Sequence, residues 1–139
     1  MEYPPRQERG SLFARLERLV ATLRGPGGCP WDIKQTPLSL KEYLLEECQE
    51  LADAIDSNDE RVICEEMGDV YFILAMLAVM FSEQNRFTAE DAIEGIIAKM
   101  IRRHPHVFGD TPVTDEQALR EQWRRIKEQE KLPTKPSLS

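Results

Sequence analysis

Cysteine is scarce in this chain, with three in 139 residues and no C-x-x-C pair among them. An odd, scattered set excludes a disulfide framework and points to a reduced, cytoplasmic setting. Long apolar runs are missing too. The most apolar stretch, residues 70–81, is too short to span a bilayer, which takes about 20 residues, and no signal peptide is visible. Positive charge is in deficit, with 18 Lys and Arg against 25 Asp and Glu and a net charge of −7. That balance argues against a nucleic-acid polymer as partner, since phosphate backbones are held by broad basic surfaces. Strand signals are absent at any length, so the expected fold is all-α.

What is present is helical periodicity. At 139 residues and 41% apolar content the chain can bury one core. The expected organisation is a polar tail over residues 1–10, one helical domain over residues 11–131 and a second tail over residues 132–139. Leu12, Phe13, Leu16, Leu19, Val20 and Leu23 recur at helical spacing after Ser11, a candidate cap. Gly25-Pro26-Gly27-Gly28 then stops the helix. A turn-rich loop to Pro37 carries Cys29-Pro30-Trp31-Asp32 and Lys34-Gln35-Thr36. Further helices are expected over residues 38–55, 60–83 and 115–131, and between the last two a helix that starts at Thr88 to Asp91 and carries Lys99, Arg102 and Arg103 at its end, with His104-Pro105-His106-Val107-Phe108 leaving it as a loop because proline cannot continue the ladder. Residues 70–81 are apolar all the way round, which implies a four-to-five-helix bundle completed by homo-oligomerisation.

The chemistry concentrates in a doubled acidic pattern, Glu46-Glu47-Cys48-Gln49-Glu50 and Glu65-Glu66-Met67-Gly68-Asp69. At roughly 100° per residue, Leu40, Leu44, Leu51 and Ile55 fall within about 80° of Glu47, with Glu50 at the edge of the same face. Ile63, Val70, Ile73, Leu74 and Leu77 cluster likewise around Glu66 and Asp69. Four acids thus share the apolar sides of two helices. Two carboxylates about 5 Å apart repel by roughly 3 kcal/mol at an effective dielectric near 20, and the positions one turn on are Leu51, Ala54, Val70 and Ile73, so no cation answers them locally. A hard divalent ion, Mg²⁺ first and Mn²⁺ as a substitute, is the simplest counter-charge. Two solvated acidic faces are the competing reading.

Lys99 and Arg103 lie one turn apart. They suit a polyphosphate, and equally they complement the dipole at a helix C-terminus together with Arg102. His104 and His106 read as packing and loop hydrogen bonds rather than ligands, because the acids already supply an oxygen set. A di-iron bundle expects Glu-x-x-His on its core helices, and neither histidine lies there.

Taken together, Cys29-Pro30-Trp31-Asp32, Gln35-Thr36, Leu45-Glu46-Glu47, Glu66-Met67-Gly68-Asp69 and Arg102-Arg103-His104-Pro105-His106-Val107-Phe108 resemble the MazG nucleotide pyrophosphohydrolases, and within them the first repeat of the two-domain members. The resemblance implies an Mg²⁺-dependent enzyme that cuts a nucleoside triphosphate between its α- and β-phosphates, releasing the monophosphate and pyrophosphate. It implies Glu47, Glu50, Glu66 and Asp69 as metal ligands, Glu47 also acting in catalysis beside Glu46, which positions or deprotonates the attacking water. It implies Lys99 and Arg103 on the phosphates and Trp123 near the nucleotide. Trp31 and Lys34 are candidates for the base pocket, with Trp31 better read as a structural plug. Many active members carry a lysine one turn before the acidic pair, where this chain has Tyr43. The alternative to the enzyme is a nucleotide- and Mg²⁺-binding regulatory module with little turnover. Dimer and tetramer are both compatible with the sequence.

Overall fold

A computed structural model describes residues 12–112 and 114–132. Ser11 and the expected tails, apart from Leu132, lie outside the described residues. Among the described residues the secondary structure is helical, with no strand, and it forms two compact units that divide between Ala89 and Glu90. Each is taken by itself.

The first unit holds α1 (Leu12–Arg24), α2 (Pro30–Lys34), α3 (Pro37–Ser57) and α4 (Glu60–Glu83). α1 stops where glycine alone fits. Gly27 takes φ +76, and a Cβ on Gly28 would sit 2.2 Å from the Leu23 carbonyl oxygen. That close approach lets the Cys29 N–H donate to the same carbonyl at 2.8 Å, satisfying one of the acceptors a helix end leaves open. The segment expected to be a loop contains a short helix, α2, begun by Pro30. Proline cannot sit inside a helix but is preorganised for its first turn, and five residues are too few to show a period. Thr36 caps α3 through a box with Ser39, in which each side chain accepts from the other's backbone N–H, at 3.1 and 2.9 Å. α3 ends at Asn58 in the left-handed region, φ 57, and Asp59 caps α4 by accepting from the Arg61 N–H at 3.0 Å.

α4 packs against α1 and α3. Its second half supplies Ile73, Ala75, Met76, Val79 and Met80 to a core closed by Val20 and Leu40, with Phe13, Leu16, Leu44, Phe72 and Leu77 half-buried around it. The unit therefore covers much of the apolar perimeter of α4 by itself. Two residues expected on the inner face are not there. Ile55 is 58% exposed and Leu74 44% exposed, because each lies on a flank of its helix that no described neighbour overlies.

Arg24 ties the helix ends together. Its guanidinium donates to the carbonyls of Asp32 (2.6 Å) and Gln35 (3.1 Å) and side-on to the Glu83 carboxylate (2.9 and 3.0 Å). Buried Gln35 donates to the Trp31 carbonyl and accepts from the Ser39 hydroxyl. The Trp-Asp…Gln-Thr motif is thus a joint between α1, α2 and α3.

The second unit holds α5 (Ala89–Arg103) from Glu90 onward, α6 (Pro105–Phe108) and α7 (Glu116–Glu130). The expected loop after α5 contains α6, again opened by a proline at its first position. His104 Nδ1 lies 2.6 Å from the Met100 carbonyl oxygen and His106 Nδ1 3.2 Å from Nε2 of buried Gln122. Both histidines are spent on local hydrogen bonds.

Candidate metal centre

α3 and α4 are joined by the two-residue turn Asn58-Asp59 and pack along one another, which sets the two acidic patterns side by side. One carboxylate oxygen from each of Glu47, Glu50, Glu66 and Asp69 can be chosen so that all four lie within 4.8 Å of one another. The four are not equally placed: Glu47 and Glu66 are half-buried, whereas Glu50 and Asp69 are exposed. The acids therefore form a cluster open to solvent on one side rather than a sealed interior one.

Electrostatics follow from that placement. Burial, then the negative charges of Glu50 and Asp69, and a hydrogen bond with Glu50, hold the Glu47 carboxyl above its ordinary value of 4.5. Glu66 is raised by the same causes in the same order. The second oxygen of each, Oε2, is buried with no hydrogen-bond partner. An acceptor shut off from water and left unpaired is destabilising, the more so when it carries charge. Hence this group of four carboxylates calls for a donor or a cation.

The residues fit a hard divalent ion. The donors are all carboxylate oxygens, and a spread of 4.8 Å is close to the separation of opposite ligands around one such ion, about 4–5 Å from usual metal–oxygen distances. Cys48 and Cys64 are exposed on the same helices, and neither enters the group.

The remaining expected residues fall as follows. Glu46 is exposed, and its charge adds to those that raise Glu47. Trp31, 37% exposed, meets the Tyr43 ring edge-on at 5.2 Å, a contact that suits a plug over the start of α3. Lys34 is exposed at the end of α2. In the second unit Lys99 is half-buried, and the Arg103 guanidinium stands 5.4 Å from the centroid of Trp123, whose edge faces His104 at 5.1 Å. The structure thus groups the four acids, and separately groups Arg103 with Trp123.

Sequence reasoning missed Glu130. Its carboxylate receives the guanidinium of Arg103 at 2.8 Å and that of Arg102 at 2.5 Å, and these contacts lower its pKa to about 2. A signal existed: an acid in the last turn of a helix opposes the dipole, so its presence there asks for a partner elsewhere.

Residues 35–108 match the MazG nucleotide pyrophosphohydrolase domain. The chain is similar to the nucleoside triphosphate pyrophosphohydrolase/pyrophosphatase MazG of Thermotoga maritima, 47% identical over 94% of this chain and 50% of the relative. It is also similar to the uncharacterized protein YabN of Bacillus subtilis, 45% identical over 97% of this chain and 28% of the relative. The chain thus spans half or less of the length of these curated relatives. Among solved structures it is similar to a mazG-related protein from Thermotoga maritima, with a TM-score of 0.67 and 29% identity over 83% of this chain and 98% of that one. With more than half of its length matched, the chain belongs to the MazG nucleotide pyrophosphohydrolase domain family.

Proposed function

We propose that this chain is an Mg²⁺-dependent nucleoside triphosphate pyrophosphohydrolase, cleaving between the α- and β-phosphates to give a nucleoside monophosphate and pyrophosphate. The observation that carries the reading is the pair of buried, unpartnered oxygens on Glu47 and Glu66 within a four-carboxylate group. The names of the relatives support the reaction class. Glu47, Glu50, Glu66 and Asp69 hold the ion, with Mn²⁺ an admissible substitute. Bound there, a divalent ion lowers the pKa of water and neutralises phosphate oxygens.

The chain's own residues do the rest. Exposed Glu46, next to the ligand Glu47, orients or deprotonates the attacking water. Lys99 and Arg103 hold phosphate oxygens, the charge that spreads over them in phosphoryl transfer being stabilised mainly by positioned cations. Trp123 lies against the nucleotide, and Lys34 and Trp31 border the base. The exposed strip Met67, Tyr71 and Leu74 on α4, each 42–49% exposed, supports a homodimer or homotetramer. The reading includes a cytoplasmic location, no membrane partner and no nucleic-acid polymer. Among the described residues no helix is long and apolar enough to cross a membrane.

A second reading, a nucleotide- and Mg²⁺-binding regulatory module, is favoured by one observation. Where many active members carry a lysine, Tyr43 packs its ring against Trp31 and brings no charge. Pyrophosphate release from a panel of nucleoside triphosphates, with and without Mg²⁺, separates the two. Turnover that needs Mg²⁺ and falls at least about 100-fold in Glu47→Gln and Asp69→Asn supports the enzyme. Nucleotide binding without product supports the module, and undiminished turnover in either variant refutes the assigned ligands.

A further inference from the structure

Arg102, Arg103 and Glu130 form a network whose geometry goes beyond an ordinary surface ion pair. Arg103 donates from Nε and Nη2 to Oε1 of Glu130 at 3.0 and 2.8 Å, and Arg102 donates from Nε and Nη2 to Oε2 at 2.8 and 2.5 Å. Both arginines are thus gripped along the same edge of the guanidinium by one carboxylate. A guanidinium has five N–H donors in a rigid fork, so the Nη1 edge of each remains to be used. Glu130 and Arg103 are largely buried, with side chains 19% and 17% exposed, whereas Arg102 is 51% exposed. One negative and two positive charges leave the group with a net charge of +1. The Arg103 plane is further fixed by the Trp123 ring beneath it at 5.4 Å.

We propose that Glu130 is a positioning residue that locks Arg102 and Arg103 into a two-guanidinium receptor for the phosphate oxygens of the substrate, with Arg102 an additional phosphate-holding residue. This rests on the placement of Arg103 on the phosphates in the preceding subsection. An arginine held side-on by a carboxylate loses little rotamer freedom when it meets an anion, so the ordering cost is met before the ligand arrives. Glu130 keeps its charge at any working pH because its two partners hold its pKa down to about 2.

Binding of inorganic triphosphate by calorimetry tests the inference on the full chain, without Mg²⁺ and without any turnover, so a chain that proves not to hydrolyse nucleotides still answers it. The expected result is that Glu130→Gln, Arg102→Gln and Arg103→Gln each weaken binding about tenfold, and that adding Glu130→Gln to the chain already carrying Arg102→Gln and Arg103→Gln weakens it no further, because the carboxylate acts through those two guanidinia. Arg103→Lys, which keeps the charge but cannot be gripped along an edge, is expected to lose a similar factor, and it guards against a Glu130 variant that fails to fold. In the turnover assay the same losses are expected in KM rather than kcat. Wild-type chain that does not bind triphosphate, a Glu130→Gln chain that binds as tightly as wild type or tighter, a further loss when Glu130→Gln is added to the two arginine substitutions, or an Arg103→Lys chain that binds normally would each overturn it.

Discussion

Glu47 and Glu66 are the residues at which the sequence and the fold make opposite demands. Each falls on an apolar helix face by its spacing, each has a buried oxygen without a partner, and each carboxyl is raised above 4.5 by burial and by the charges of Glu50 and Asp69. A carboxyl whose folded value is raised contributes stability that is fully present below the unfolded value and is lost as pH rises through the folded one. The metal-free chain should therefore lose stability as pH rises above 4.5 on account of these two groups, and Mg²⁺ should restore it at pH 7. Urea midpoints measured across that range check this: Glu47→Gln should flatten the loss and weaken the response to Mg²⁺. A wild-type midpoint indifferent to Mg²⁺ at pH 7 would count against the centre. At this scale the sequence was informative, since all four acids of the group could be placed on two helix faces from their spacing. What spacing did not show is that Glu50 and Asp69 are exposed while the other two are half-buried. A helical period gives angle around one axis and says nothing of how far a neighbour reaches.

At the scale of elements, joints between helices carry as much information as the helices. Gly28 packs where a Cβ would lie 2.2 Å from the carbonyl oxygen and 2.7 Å from the carbonyl carbon of Leu23. Backbone atoms cannot swing aside as a flexible side chain can, so Gly28→Ala should destabilise the first unit by at least about 2 kcal/mol, as judged from the denaturant midpoint. In the second unit, Glu130 joins α7 to the end of α5 through Arg102 and Arg103, with its pKa lowered from 4.5 to about 2. The sign is opposite to that of Glu47: a lowered carboxyl gives stability that is present above 4.5 and lost as pH falls toward 2. Glu130→Gln should remove that acid limb, seen as a shallower loss of helicity between pH 4.5 and 2.5 than in wild type. The boundaries of α4 (Glu60–Glu83) follow from its cap and its apolar run. By contrast α2 and α6 escaped sequence reading because five- and four-residue helices opened by proline resemble turns. The cap of α3 was missed as well, because Ser39 fills the position that glutamate or glutamine usually marks.

For the whole molecule, the fold class was legible from the absence of strand patterns and from helical periods, and family membership follows from the match over residues 35–108. The apolar perimeter of α4 suggested a surface one chain could not cover. Within the first unit α1 and α3 bury Met76, Val79 and Met80, while Met67, Tyr71 and Leu74 stay open, so periodicity overstated the uncovered part without revealing where it lay. The proposed function asks α3 and α4 to hold their carboxylates close enough to bind a divalent ion and offer it to a triphosphate. Calorimetric titration of Mg²⁺ into the chain with a non-hydrolysable nucleoside triphosphate present tests this most directly. Saturable Mg²⁺ binding that disappears in Glu66→Gln and Asp69→Asn, with helicity retained, is the predicted result. Absence of Mg²⁺ binding in wild type, or equal binding in both variants, would contradict it.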